Sequence, residues 1–199
     1  MAFAPSFCGV VLAAGDAPGG RDAALVQHGG RTLLAAHIEL LQPHSELVIV
    51  IAGKNASSLA PVVYANAAFM VVNPDPECGQ FSSLQLGLQE VLNRGRDAAI
   101  VALVDRPPVN SRTLDTLCEA FVRASACGKW ALVPQYQEQH GHPLLVRREM
   151  IEAFLRAAPA STAKQVEQAN VARIEYLAVD DPLVIAPAVP RENAKQTSS

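Results

Sequence analysis

Four sets of residues have the types and spacing to do chemistry. The first is the run Leu12-Ala13-Ala14-Gly15-Asp16-Ala17-Pro18-Gly19-Gly20-Arg21-Asp22-Ala23-Ala24-Leu25, which continues an apolar stretch. Small residues let a backbone come close to a ligand, and successive amides in such a loop form an anion-binding concavity. The run contains neither G-x-x-x-x-G-K-[ST] nor G-x-G-x-x-G, so on its own a phosphate site and a ligand-free glycine-rich connection both stay open. The second is Asp105, which ends another apolar stretch and precedes Arg106-Pro107-Pro108. It either faces a ligand or bonds the amides of its own turn, as Asp commonly does. The third is Ser82-Ser83 at the head of a helical stretch, where Ser82 with Gln85 three residues on reads as a capping box. A helix N-terminus also takes polar or anionic groups, so both roles can hold together. The fourth is His142 in a Gly141-His142-Pro143 turn, its ring either lining a site or bonding nearby backbone.

Other chemistries find little support. His28, His37, His44 and His140 match no catalytic arrangement and read as surface or helix-end residues. No serine lies in a G-x-S-x-G elbow, and the four cysteines, Cys8, Cys78, Cys118 and Cys127, form no C-x-x-C pair, which argues against a zinc site or a disulfide framework. Buried, reduced thiols are expected. With 16 Lys and Arg against 19 Asp and Glu, the net charge of −3 supplies no field to gather nucleic acid or anionic lipid. No charged-then-apolar leader precedes Phe7, and no apolar run has spanning length, so a cytoplasmic protein with no membrane partner is expected.

The elements that must position these residues alternate along the chain. Continuous apolar runs at 7–14, 46–52, 68–73 and 97–103 predict strands buried on both faces, and between them 31–41, 57–66 and 82–93 predict helices. That rhythm predicts βαβ units and a largely parallel sheet. Beyond Asp105 it loosens: helices are predicted over 113–126, 148–157 and 163–169, and strands over 130–133, 143–146 and 172–179, with one antiparallel strand joining the sheet. At 199 residues and half apolar, one domain over 1–189 is expected, followed by a polar, disordered tail over 190–199. In an open α/β sheet, ligands sit beyond the C-terminal strand ends, where the Gly15 loop and Asp105 both fall.

The strand-plus-LAAG opening, Leu12 to Gly15, followed by Gly29-Gly30-Arg31-Thr32-Leu33-Leu34, resembles the MobA-like nucleotidyltransferases, which include the molybdenum cofactor cytidylyltransferases. Further motifs match in order up to about Asp181: Asn73-Pro74, then Gly79-Gln80-Phe81-Ser82-Ser83-Leu84 with Gly87-Leu88, then Val104-Asp105-Arg106-Pro107, then Val133-Pro134 and Gly141-His142-Pro143. The resemblance implies an α/β fold, a Rossmann-like three-layer sandwich of the nucleotide-diphospho-sugar transferase (glycosyltransferase-A) type. It implies transfer of CMP or GMP from a nucleoside triphosphate to a molybdopterin-type phosphate, with release of pyrophosphate. Leu12, Ala13, Ala14, Gly15, Arg21, Gly79, Ser82 and Ser83 would then meet the nucleotide, Asp105 would carry a catalytic Mg²⁺, and His142 would lie on the acceptor side. The LAAG form favours CTP over GTP.

The chain departs from that family pattern at its charges. In the pattern L-A-A-G-x-S-x-R-M-G-x-x-K the Arg falls at Gly19 and the Lys at Ala24, or at Ala23 counted back from Gly29. Arg21 is the one cation between Gly15 and Arg31, and Ala186-Pro187-Ala188-Val189-Pro190 stands in place of the family's closing D-I-D-T-P. Nucleotidyl transfer depends on charges aimed at the phosphates, so these losses leave two expectations: a transferase with a weakened Mg²⁺ site, or a catalytically degenerate homologue that binds a nucleotide, a cofactor or a partner enzyme.

Overall fold

A strand buried on both faces sends alternate side chains into two different cores, and the first apolar run does this. Phe7 and Val11 enter one cluster, Cys8, Val10 and Leu12 the other. The computed structural model describes residues 7–15 and 22–187. Its strands are β1 (Phe7–Leu12), β2 (Gln27–His28), β3 (Arg31–Thr32), β4 (Ser45–Ala52), β5 (Phe69–Val72), β6 (Ala98–Leu103), β7 (Ala131–Tyr136), β8 (Gln139–His140), β9 (Leu144–Arg147) and β10 (Ile174–Ala178). Its helices are α1 (Leu33–Leu41), α2 (Ala56–Ala65), α3 (Gln80–Asn93), α4 (Ser111–Ala126), α5 (Arg148–Arg156) and α6 (Ala163–Ala169).

The main sheet runs β10-β7-β9-β6-β1-β4-β5, with β8 paired to β7. β1 pairs in parallel with β4 and β6, and β4 with β5. The expected antiparallel strand is β9, wedged between β6 and β7 and opposed to both. Helices cover both faces. Leu34 and Ile38 of α1, Leu59 and Val63 of α2, and Leu114, Leu117 and Phe121 of α4 pack in one core. Leu84 and Leu88 of α3, Met150 and Phe154 of α5, and Val166 of α6 pack in the other. α3 lies close on the sheet because Gly87 carries no side chain: a Cβ there would stand 2.8 Å from Val10 Cγ1.

Local chemistry sets several boundaries. Arg31 and Thr32 pair antiparallel with His28 and Gln27, so the helix expected from Arg31 begins at Leu33, where the Thr32 hydroxyl accepts from the Ala35 amide at 3.2 Å. Thr162 and Gln165 form a reciprocal capping box that starts α6. The box expected at Ser82 does not form. α3 begins earlier, at Gln80 after Gly79, and Gln85 instead donates to the carbonyls of Phe154 and Ala157.

The strand order reverses beside β1. The chain steps from β1 outward to β4 and β5, then returns to place β6 on the other side. Such a switch point opens a crevice at the carboxyl ends of the two strands. Gly15 follows β1 and Asp105 follows β6, so the topology sets them on either side of that crevice. Among the described residues, no helix is long and apolar enough to cross a membrane. The tail over 190–199 lies outside the described residues.

Candidate functional site

The crevice holds a cavity of about 480 Å³. It is bounded by Leu12 at the end of β1, Ala14 and Gly15 after it, Lys54 after β4, Pro76, Glu77 and Gly79 before α3, Gln80 and Ser83 on α3, and Val104 and Asp105 after β6. Its size suits a small-molecule ligand. At Gly15 a Cβ would meet nothing within 4 Å, so protein packing does not demand glycine there. The absent side chain instead leaves bare backbone facing the cavity.

The other wall is built by hydrogen bonds. Asn73, buried at the end of β5, donates from Nδ2 to Ser82 Oγ at 2.9 Å and to Ser83 Oγ at 3.0 Å, and its Oδ1 accepts from the Asp75 amide at 3.0 Å. Ser82 in turn donates to the Gly79 carbonyl at 2.8 Å. Gly79 adopts φ 86°, a left-handed conformation that glycine takes without strain, and this turns the chain into α3. Asn73 therefore fixes both serines, but Ser83 lines the cavity, whereas Ser82 lines neither this cavity nor the next.

The Asp105 carboxylate accepts no hydrogen bond from the described residues, so the turn-amide role is not taken up. It faces the cavity with its oxygens available. Ala13 is placed differently from Leu12, Ala14 and Gly15. Its side chain is in the core, its amide donates to the Ile51 carbonyl at 2.8 Å, and its own carbonyl accepts from Asn55 Nδ2 at 2.8 Å. It holds the loop and does not line the cavity. Arg21 and Gly19 lie outside the described residues. Both candidate positions for the family's Lys are within them. Ala24 is fully buried and its amide is capped by Asp22, while Ala23 is nearly buried at the cavity floor, so neither offers a charge.

A second cavity of about 400 Å³ adjoins the first across Leu12, Gly79 and Gln80. It is mostly apolar, walled by Phe81, Leu84, Leu103 and Leu144, and Ser161, Glu167 and His142 also line it. The His142 amide donates to the Val184 carbonyl at 2.8 Å, yet the ring Nδ1 is buried without a partner among the described residues. Burial, reinforced by the Arg106 guanidinium, pushes the His142 ring down to about 4, so it is neutral near pH 7. Burial likewise raises the Glu167 carboxyl. The ring-to-backbone bond considered from the sequence is not made; it is the backbone of residue 142 that bonds.

Two sequence expectations are corrected. His37 is not a surface residue: it is 4% exposed and its Nε2 meets the Arg106 carbonyl at 2.8 Å, bracing the Asp105 turn from beneath. Burial lowers its pKa. The cysteines are all free, but only Cys8 is fully buried, while Cys78 and Cys127 are exposed. Burial pushes the Cys8 and Cys118 thiols up to about 12, which leaves neither as a nucleophile. The segment that stands in place of the closing aspartates runs beside the Asp105 turn, where Arg106 Nη1 donates to the Ala186 carbonyl at 2.9 Å. It brings a backbone carbonyl, not a carboxylate. Lys54 and Glu77, which sequence reasoning missed, both line the first cavity; their position just past strand ends was the available signal.

The sequence model of the family described as MobA-like NTP transferase domain matches residues 9–174. No curated protein matches the chain. Among solved structures, the chain is similar to Rv0371c from Mycobacterium tuberculosis H37Rv, at 23% identity over 87% of this chain and 88% of that one, with a TM-score of 0.74. The manganese complex of Rv0371c gives 24% identity over the same 87% and 88%, with a TM-score of 0.68. A nucleotidyl transferase from Methanothermobacter thermautotroptrophicus is 18% identical over 91% of each chain, with a TM-score of 0.72. A CMP:2-keto-3-deoxy-manno-octonic acid synthetase complexed with CTP is 13% identical over 92% of each, with a TM-score of 0.67. At such identities the likeness shows the fold, that of the Rossmann-like nucleotidyltransferases.

Proposed function

The chain belongs to the MobA-like NTP transferase family, and from that premise we propose that it moves a nucleotidyl group from a nucleoside triphosphate to an acceptor phosphate. The observation that carries this reading is the pair of joined cavities at the switch point, with Asp105 and bare Gly15 backbone in one and neutral His142 in the other. The cavity bearing Asp105 takes the triphosphate and the more apolar one the acceptor. An acceptor phosphate oxygen attacks the α-phosphorus; the bond from that phosphorus to the bridging oxygen breaks, and pyrophosphate leaves. No proton need move when the attacking phosphate is already ionised.

The chain's residues act by placement. Gly15 and Ala14 present backbone to the phosphates, Ser83 is held toward them by Asn73, and Gly79 opens the passage between the cavities. Asp105 suits a hard divalent ion such as Mg²⁺, or Mn²⁺ as in the Rv0371c complex, because such ions use one or two carboxylates and complete their shell with water and phosphate oxygen. When bound, the ion neutralises charge on the phosphates. CTP is the favoured nucleotide from the LAAG opening, and a molybdopterin-type phosphate the favoured acceptor from the family; Arg21 is assigned to the phosphates and the cytoplasm is the proposed location.

One observation favours a second reading, a homologue that binds without transferring: the alanines buried at both candidate Lys positions. Incubation with Mg²⁺ or Mn²⁺, each nucleoside triphosphate and a molybdopterin acceptor separates them. Pyrophosphate release above that of Asp105→Ala supports transfer; no release alongside nucleotide binding by calorimetry supports the binding module.

A further inference from the structure

The cavity that takes the triphosphate carries an electrostatic problem. Among the described residues that line it, Glu77 and Asp105 are acidic and Lys54 is the sole cation. Two carboxylates against one ammonium leave these residues net negative, so among them only Lys54 can offset the charge of an entering triphosphate. The structure places Lys54 with care. It sits in a Gly53-Lys54-Asn55 turn at the carboxyl end of β4, against the Gly15 loop. A Cβ on Gly53 would lie 2.7 Å from the Ala14 carbonyl oxygen and 3.2 Å from Pro76 Cβ, so the turn is inserted between the loop and the segment bearing Glu77.

Asn55 then locks the turn. Its Oδ1 accepts from the Gly53 amide at 2.9 Å, while its Nδ2 donates to the Ala13 carbonyl at 2.8 Å and to the Asp22 carboxylate. Ala13 precedes the glycine-rich loop and Asp22 follows its central part, so one side chain ties Lys54 to both ends of the loop. The ammonium pairs with Glu77 Oε1 at 2.6 Å, and both side chains remain well exposed. Exposed ion pairs of this kind contribute little to stability, so the lysine exchanges partners at small cost.

We infer that Lys54 supplies the phosphate-binding charge that buried alanines withhold from the loop, and that Glu77 is the counter-ion which a nucleotide's phosphates displace. The inference rests on the nucleotide reading of this cavity. Its occupant is a polyphosphate, recognised by an ammonium that turns from a carboxylate toward phosphate oxygen. The role falls to Lys54 in this chain because its loop has alanines at both candidate lysine positions, Ala23 and Ala24.

The test is calorimetric titration of the full chain with Mg·CTP and, separately, with inorganic tripolyphosphate. Lys54→Met should weaken both by at least tenfold, as expected for losing one charge-assisted contact, Lys54→Arg should restore most of the loss, and thermal midpoints should stay level. Glu77→Gln, which removes the competing carboxylate, should tighten both several-fold. Unchanged affinities in Lys54→Met would overturn the inference and leave the nucleotide reading intact. Tripolyphosphate binding that depends on Lys54, with no response to any nucleoside triphosphate, would overturn the nucleotide reading and keep the lysine's role. A wild-type chain that binds neither probe overturns both.

Discussion

Asp105 and Ser83 share one cavity but are held by opposite means. Ser83 is fixed by Asn73, whereas the carboxylate of Asp105 has no hydrogen-bond partner among the described residues. An acid without a structural partner can be neutralised with little effect on the fold. Asp105→Asn should therefore leave the urea midpoint nearly unchanged while lowering nucleotidyl transfer about a hundredfold or more, the scale of losing a main electrostatic group from a phosphoryl-transfer site. Steady-state pyrophosphate release and equilibrium unfolding on the same preparation check both halves. Asp181, in contrast, is buried and engaged on both oxygens. It accepts from the Asn110 amide at 3.1 Å, the Thr113 hydroxyl at 2.7 Å and the Leu183 amide at 3.0 Å. Burial raises its pKa, but these hydrogen bonds outweigh burial and hold it below the usual carboxylate range. Asp181→Ala strands three donors, and a loss of about 2–4 kcal/mol in urea unfolding is expected.

At the scale of elements, the site depends on backbone contacts that only glycine permits. Gly141 precedes the His142 turn, and an added Cβ would fall 2.1 Å from the Val184 carbonyl oxygen, so Gly141→Ala must part the turn from the segment at Pro182–Ile185. That segment also receives the His142 amide, and just beyond it Ala186 receives the Arg106 guanidinium. Displacing it loosens the Asp105 turn as well as the second cavity. The expected outcome is a loss of about 1–3 kcal/mol with a raised KM for acceptor, seen by comparing unfolding curves and acceptor titrations with those of the parent chain. Gly53→Ala pushes on the Ala14 carbonyl instead, and its effect should fall on nucleotide KM with acceptor KM unchanged.

For the whole molecule, the buried imidazoles make acid stability directional. His142 titrates at about 4 in the folded chain and near 6.5 when unfolded, and burial moves His37 the same way. Between those values the unfolded chain binds more protons, so stability is full above about 6.5 and falls as pH drops toward 4. His142 alone sets a loss of roughly 3 kcal/mol across that window. His142→Asn should flatten this part of the curve, which urea unfolding at a series of pH values will show. Below it, Asp181 acts: its folded pKa is depressed, so its contribution holds above the ordinary carboxylate range and disappears as pH falls through the lowered value.

The sequence by itself determined what depends on neighbours along the chain. Apolar runs such as 97–103 marked strands, amphipathic stretches such as 113–126 marked helices, and the order of short motifs from Leu12 to His142 marked the family, because these patterns are written in local spacing. It also located the Gly15 loop and Asp105 at strand ends, where an α/β sheet binds its ligands. Tertiary structure alone decided what arises between distant segments. β9 slid between β6 and β7, His37 went under the Arg106 carbonyl 69 residues away, and Asn55 reached back across 42 residues to Ala13. Lys54 belongs to this second class. Read in sequence it is one charge in a short turn, and it becomes a neighbour of Gly15 because β4 pairs in parallel with β1, which brings their carboxyl ends to the same edge of the sheet. Local pattern fixes the elements, whereas the cavity's charge is a sum over strand ends that only pairing brings together.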